Sequence, residues 1–261
     1  MKWLSGRSRQ HEAAQAPTRP DLLLDYARVE SLGAQADEYR NNAPFPHIVL
    51  DNFLSPECFK TLIDHYPSDQ SSPAWNDATR LNKDSGDYVQ KDKRNIRDIL
   101  KMPWPFRQLI WELNSAPFLK ALSALTGIDN LMPDPLLRGA GIHQIGAGGF
   151  LKVHADFTHH REFDLDRRLN FLLYLNEDWQ ESYGGHLELW DAELKGPPQR
   201  VLPIANRAAL FSTTATSFHG HPHPLTCPPG MYRKSVAIYY YTNGRPEHEA
   251  KRVVSTDWKD V

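Results

Sequence analysis

Two islands in this chain carry residue types that could hold a metal ion: His154-Ala155-Asp156 and, further along, Ser217-Phe218-His219-Gly220-His221. Two imidazoles and one carboxylate presented by strands make a facial triad that suits non-haem Fe(II). Mixed nitrogen and oxygen donors on one face leave the opposite positions open for substrate and O2. In an extended segment residues 154 and 156 project to the same side while Ala155 points away, so both side chains can reach one ion. Three histidines compete for the third position: His219, His221 and His223. Pro222 and Pro224 remove ladder donors around the last two, which favours His219 and leaves His221 as the alternative. Taken alone, His-x-Asp is a weak signal whose ordinary reading is chance. Gly146-Ala147-Gly148-Gly149 strengthens it by permitting close backbone approach, as does a second histidine far enough along to return on a neighbouring strand.

A basic residue follows the second island. Residues 232–242 form the strongest strand pattern in the chain, with Arg233, Ser235, Ala237, Tyr239 and Tyr241 on one face and Lys234, Val236, Ile238 and Tyr240 on the other. Small Ser235 beside Arg233 leaves room for a ligand, which places that face on the cavity. A guanidinium there calls for an acid that pairs bidentately, such as the distal carboxylate of 2-oxoglutarate; the structural alternative is pairing with an internal Asp or Glu. Tyr174, on the expected strand 168–176, could offer its hydroxyl to the same carboxylate, and Leu187 with Leu189 could wall the cosubstrate's methylenes. His159 and His160 sit in a charged segment that reads as solvated loop bordering the substrate entrance. With Lys152 and Arg161 they make a positive approach that favours a polar or acidic substrate.

The elements that must position these residues fall into two halves. Apolar spacing predicts an amphipathic helix over 21–40, a strand at His47-Ile48-Val49-Leu50, and a helix capped by Ser55 with Pro56 at its first position. Helices follow over 104–113 and from Ser115 to Gly127. The polar stretch from Pro67 to Asp98 reads as a long surface loop, a candidate lid where substrate is selected. After Pro133, short strands are expected at 136–145, 150–156, 168–176, 185–191, 199–203, 206–212, 216–220 and 232–242. Without intervening helices these indicate a mainly β fold, a double-sheet jelly roll with the N-terminal helices packed on one sheet. Residues 1–20 read as a mobile leader and 21–261 as a single domain, in which 21–132 form the helical support and lid, 133–245 the β core and 246–261 a C-terminal tail.

Bulk properties narrow the partners. A net charge of −2 gives no long-range attraction for nucleic acid or anionic lipid, and no stretch has the length and apolarity of a signal peptide or membrane span. With only two cysteines, neither a disulfide framework nor a cysteine-based zinc site is indicated, and a cytoplasmic protein is expected. Oligomeric state is not legible.

The segments Gly148–Asp156, Arg168–Trp179 and Gly184–Leu189, with Asn206-Arg207, Phe211, His219 and Arg233, together resemble the Fe(II)/2-oxoglutarate-dependent dioxygenases, in particular the prolyl 4-hydroxylase-like branch. Residues 44–54 resemble the first strand of bacterial members. The resemblance implies a double-stranded β-helix, another name for this jelly roll. It also implies iron on His154, Asp156 and His219, 2-oxoglutarate anchored by Arg233 with Tyr174, Leu187, Gln144 and Ser235 around it, and ascorbate as a reductant. The implied activity is hydroxylation of an unactivated C–H bond of a small-molecule or peptidyl substrate with O2, giving succinate and CO2. Two departures bear on substrate: Gln144 stands where many prolyl hydroxylases have a site-lining Tyr, and extra residues including Cys227-Pro228-Pro229-Gly230 separate His219 from Arg233. Two other classes compete. A zinc-dependent hydrolase on a cupin-like barrel could use the same triad, but no general-base Glu adjoins it and Arg233 would have no task. A non-catalytic jelly-roll binding module needs no triad at all.

Overall fold

The amphipathic stretch expected as one helix over 21–40 forms two short ones. α1 (Tyr26–Ser31) starts on Asp25, whose carboxylate accepts from the backbone N–H groups of Ala27 and Arg28; α2 (Ala36–Asn41) follows a 3-10 turn over Leu32–Gln35. Gly33, a weak helix former, lies in that turn against Ala124, where a Cβ would come within 3.1 Å. In this computed structural model, which describes residues 21–134, 136–249 and 253–261, the remaining helices fall where capping predicts: α3 (Pro56–Asp64), α4 (Trp104–Leu113) and α5 (Ala116–Thr126). The Ser55 hydroxyl accepts from the Cys58 N–H, and Gly127 ends α5 in the left-handed conformation at φ 72°. The leader assigned to residues 1–20 lies outside the described residues.

The strands, in chain order, begin with β1 (His47–Leu50), β2 (Asn76–Asp77), β3 (Arg80–Leu81), β4 (Tyr88–Ile96), β5 (Met132–Pro133), β6 (Gly141–Ala155) and β7 (His159–His160). They continue with β8 (Leu165–Tyr174), β9 (Leu187–Trp190), β10 (Gln199–Val201), β11 (Ala208–Ser212), β12 (Phe218–His221), β13 (Tyr232–Thr242) and β14 (Asp257–Trp258). Antiparallel pairing runs β1-β11-β8-β13-β6-β12-β9-β10, the mainly β jelly roll expected. The two strands expected at 136–145 and 150–156 are one, β6, which serves both sheets: residues 141–146 pair with β13, while Leu151 and His154 pair with β12. The bend between those halves needs the glycines. Gly148 holds φ 78°, and a Cβ on Gly149 would lie 2.6 Å from Ile145 Cγ2.

The stretch 67–98, expected as a long loop, carries three strands. β2 and β3 pair with β4, and β4 runs along β6 from Gln90 opposite Leu151 to Ile96 opposite Ile142. Its sequence hides this because few of its residues are apolar. The tail after 245 likewise returns, as β14, beside Ala155 and His154.

Strand alternation divides the two faces of the larger sheet. Leu169, Phe171 and Leu173 of β8 and Val236, Ile238 and Tyr240 of β13 form one core with Leu109, Phe118 and Leu122 of the helices, so the sheet's other face is left for a cavity. Phe118 is fully buried at the centre of that layer, tilted or edge-on to Phe53, Phe171 and Tyr240. Phe118→Ala is expected to cost about 3–5 kcal/mol, read as a lower urea midpoint, while folded protein keeps its metal affinity because the cavity lies on the opposite face.

Candidate active site

β6 and β12 are hydrogen-bonded neighbours with His154 directly opposite His219, and Asp156 follows two residues after His154. One donor atom from each of the three side chains lies within 4.8 Å of the others. His154 Nδ1 donates to the Lys152 carbonyl at 2.9 Å, and His219 Nδ1 donates to the Ser217 carbonyl at 3.0 Å. A carbonyl can only accept, so each ring carries its proton on Nδ1 and presents the Nε2 lone pair. Those nitrogens stand 3.6 Å from Asp156 Oδ1 and 3.4 Å from Oδ2 respectively. Three electron-pair donors thus converge, which fits a divalent cation with a mixed N/O preference. His223 is exposed and outside the cluster.

Asp156 is held from behind. Arg167 Nη2 and Asn170 Nδ2 each donate to its Oδ2 at 2.8 Å, and Arg167 also holds the Asn170 amide oxygen. Burial alone would raise the Asp156 carboxyl, but the Arg167 guanidinium and the two imidazoles outweigh it and keep it well below the usual carboxylate range. For His154 burial comes first, followed by the neighbouring His219, and its ring is pushed below the ordinary value toward the neutral form a ligand needs. Sequence reasoning missed Arg167 for a geometric reason. Strict alternation puts 167 and 170 on opposite faces, but the β8–β13 register skips a residue, pairing Leu169 with Tyr240 and Arg167 with Tyr241. That bulge turns Arg167 inward, over the Tyr239 ring at 3.4 Å.

The triad opens on a cavity of about 150 Å³ that Arg233, Ser235 and Leu187 also line. Arg233 is 7% exposed; its Nε donates to the Gly185 carbonyl at 2.7 Å and one Nη to the Tyr174 hydroxyl at 3.3 Å. Among the described residues no carboxylate pairs with it. Tyr174 is fully buried behind Arg233, which lies 5.0 Å from its ring centre, so it meets the cavity through the arginine. Gln144 is a correction: it sits on the far face of β6, where its amide oxygen accepts from Tyr66 at 3.0 Å and its amide nitrogen donates to Gln70. Alternation puts His143 and Ile145 on the cavity side instead.

Of the residues assigned to the expected positive rim, Arg161 alone is exposed. His159 and His160 are buried in β7, with His159 between Asp164 and Asp166, and Lys152 pairs with Asp260. Several cavity residues were not assigned from sequence: His143, Lys93 of β4, and Trp258 of β14, whose ring lies 4.7 Å from that of His154. His221, weighed as a ligand, lines the cavity with both ring nitrogens buried and without hydrogen-bond partners. Among the described residues Asp156 is the single carboxylate in the lining.

The family model described as the 2OG-Fe(II) oxygenase superfamily matches residues 140–241, the span that holds the triad, Tyr174 and Arg233. Residues 140–241 are therefore similar to that superfamily. The chain is similar to Prolyl 3-hydroxylase OGFOD1 of Mus musculus, 25% identical over 181 residues, which cover 67% of this chain and 29% of that relative. The chain therefore spans under a third of that relative's length. Its fold is similar to that of a prolyl-4-hydroxylase from Pseudomonas putida, with TM-score 0.56 and 18% identity over 81% of this chain and 99% of the other. It is also similar to a prolyl hydroxylase from Trichoplax adhaerens solved with a hypoxia inducible factor peptide, with TM-score 0.59 and 18% identity over 82% and 91% of the chains. The family match and the His-Asp-His cluster imply Fe(II) and 2-oxoglutarate as cofactors.

Proposed function

We propose that the chain is an Fe(II)- and 2-oxoglutarate-dependent dioxygenase that hydroxylates an unactivated C–H bond of an organic substrate, releasing succinate and CO2. The observation that carries this reading is the convergence of His154, Asp156 and His219 on one point of a cavity that Arg233 also lines. Iron with 2-oxoglutarate, when bound, supplies the O2-dependent oxidation. The protein's own residues bind, orient and shield. His154 and His219 offer Nε2, and Asp156 offers the oxygen that Arg167 and Asn170 leave free. Arg233, steadied by Gly185 and the Tyr174 hydroxyl, receives the distal carboxylate of the cosubstrate, with Ser235 and Leu187 against its chain. With Asp156 committed to the triad, the lining among the described residues offers no second carboxylate as a hydrolytic base, which favours oxygenation over zinc-dependent hydrolysis.

Ascorbate is the proposed reductant, and the substrate is a small molecule or a peptide segment. The reading also carries a cytoplasmic location, in keeping with unpaired Cys58 and Cys227; no helix among the described residues is long and apolar enough to cross a membrane. The test is mass spectrometry of cell extract incubated with the protein, Fe(II), 2-oxoglutarate and 18O2. A product gaining one labelled oxygen is expected, and products whose added oxygen is unlabelled, having come from solvent water, would contradict the reading.

Arg233→Ala is expected to raise the apparent KM for 2-oxoglutarate about 10- to 100-fold, the worth of a charge-assisted pair, while metal affinity stays near wild type. Lys234→Ala should change neither, since Lys234 lies on the helical face over the Tyr66 ring at 4.6 Å. Steady-state kinetics of the two variants side by side check this facing.

A further inference from the structure

The cavity holds more positive charge than the proposed reaction uses. Its charged lining among the described residues is Arg80, Lys93, Arg167 and Arg233 against Asp156. Arg167 is matched by Asp156 at 2.8 Å. On the oxygenase reading a divalent ion and a dicarboxylate balance each other, with Arg233 facing the latter. Arg80 is exposed, and solvent screens it. Lys93 is more enclosed and has no counterpart: among the described residues no carboxylate forms an ion pair with it.

A second bulge places Lys93 there. The β4–β6 register skips between Lys91 and Lys93, and the residue between them, Asp92, takes φ 51°. Gln90 and Lys93 therefore both line the cavity although they are three residues apart, which strict alternation forbids. Arg94, next along, is turned outward, donating to the Gln70 carbonyl at 2.9 Å and lying 5.7 Å from the Trp75 ring centre. Asn95 returns to the cavity face. Its amide oxygen accepts from Asn76 at 3.5 Å, which leaves its amide N–H groups as donors.

Burial pulls the Lys93 ammonium down to about 8; Asp156 opposes this, while Arg80, Arg233 and Arg167 add to it. Once a divalent cation takes up the charge of Asp156, no carboxylate among the described residues compensates Lys93. An enclosed ammonium without a partner is costly unless a ligand supplies the anion.

We propose that Lys93, with the Asn95 amide beside it, receives a carboxylate of the primary substrate, so that this site acts on carboxylate-bearing molecules. The proposal rests on the oxygenase reading and supplies its substrate class. The carboxylate has two possible sources, the α-carboxylate of a free amino acid and an acidic side chain of a peptide.

The test uses the full chain loaded with Mn(II) and 2-oxoglutarate under nitrogen, titrated calorimetrically with two acid–amide pairs. These are L-proline against L-prolinamide, and the capped peptide Ala-Pro-Asp-Ala against Ala-Pro-Asn-Ala. In one pair the acid is expected to bind at least about tenfold tighter than its amide. Lys93→Met should erase that preference and Lys93→Arg should keep it. The pair that shows the preference identifies the source. No preference in either pair, whether through equal binding or none, overturns the proposal, as does a preference that survives Lys93→Met. A rise in the 2-oxoglutarate dissociation constant as large as the loss of acid binding also overturns it, because Lys93 would then be a cosubstrate anchor. Succinate formation by the same wild-type preparation under O2 is scored separately, so loss of the reaction is not mistaken for loss of the carboxylate site.

Discussion

His219→Ala is expected to abolish iron binding and turnover together, as are His154→Ala and Asp156→Ala, while His223→Ala leaves both intact. Each of the three side chains supplies one of the donors that converge within 4.8 Å, and two remaining donors do not define a closed face for the ion. Losing an outer partner of a metal ligand costs about 10- to 100-fold in affinity, so losing a ligand should exceed that range. His221 is the informative control. It lines the same cavity but is paired with Leu151 across a register shift, not with His154. His221→Ala should retain iron; iron lost there and kept in His219→Ala would reassign the third ligand. Iron content after gel filtration and 2-oxoglutarate turnover check the series, and thermal melts should show that the fold survives each change.

Arg167→Ala is expected to produce the largest loss of stability among single changes around the site, about 3–5 kcal/mol for the metal-free protein near neutral pH. Arg167 is 1% exposed, and its removal leaves the Asp156 carboxylate buried without its charge partner. The penalty depends on pH in a defined direction. The Asp156 carboxyl lies well below its ordinary value in the folded chain, so the pair contributes above the ordinary carboxylate value of about 4 and is lost as pH falls through the depressed folded value. Wild type and variant should therefore converge in acid. Mn(II) should restore part of the difference at neutral pH, because the ion supplies positive charge to the same carboxylate. Urea unfolding at several pH values, with and without Mn(II), measures all three.

What the sequence made legible, and what it hid, follows the regularity of the strands. β13 runs Tyr232–Thr242, the bounds its unbroken alternation predicts, and of its expected inward face Arg233, Ser235 and Tyr239 line the cavity while Ala237 and Tyr241 join the core. Arg167 and Lys93 were invisible because each lies beside a bulge, and a period of two assigns them to the wrong face. β4 was taken for a loop because its nine residues, Tyr-Val-Gln-Lys-Asp-Lys-Arg-Asn-Ile, place polar groups on both faces, one side serving the cavity and the other Gln70 and Trp75. Gln144 was assigned to the cosubstrate by resemblance to a position that lines the site elsewhere. Only the register of β6 on β13, with Ser235 opposite His143, shows that the inward residue is its neighbour. His159 and His160 looked solvated because of their charged neighbours, whereas pairing of β7 with β8 buries them. Trp258 comes from a segment with no strand signal of its own, ordered by pairing with β6.

On the proposed function, one cavity couples the triad to a 2-oxoglutarate anchor for oxidative chemistry. The most direct test is the stoichiometry of 2-oxoglutarate consumption by the purified full chain, followed as succinate and O2. One succinate is expected per O2 consumed, only when Fe(II) and O2 are both present, with the rate falling in Arg233→Ala at low 2-oxoglutarate and recovering toward wild type as 2-oxoglutarate is raised. Succinate formed equally under nitrogen or with Zn(II) in place of Fe(II), or an Arg233→Ala rate indistinguishable from wild type at every 2-oxoglutarate concentration, would contradict it.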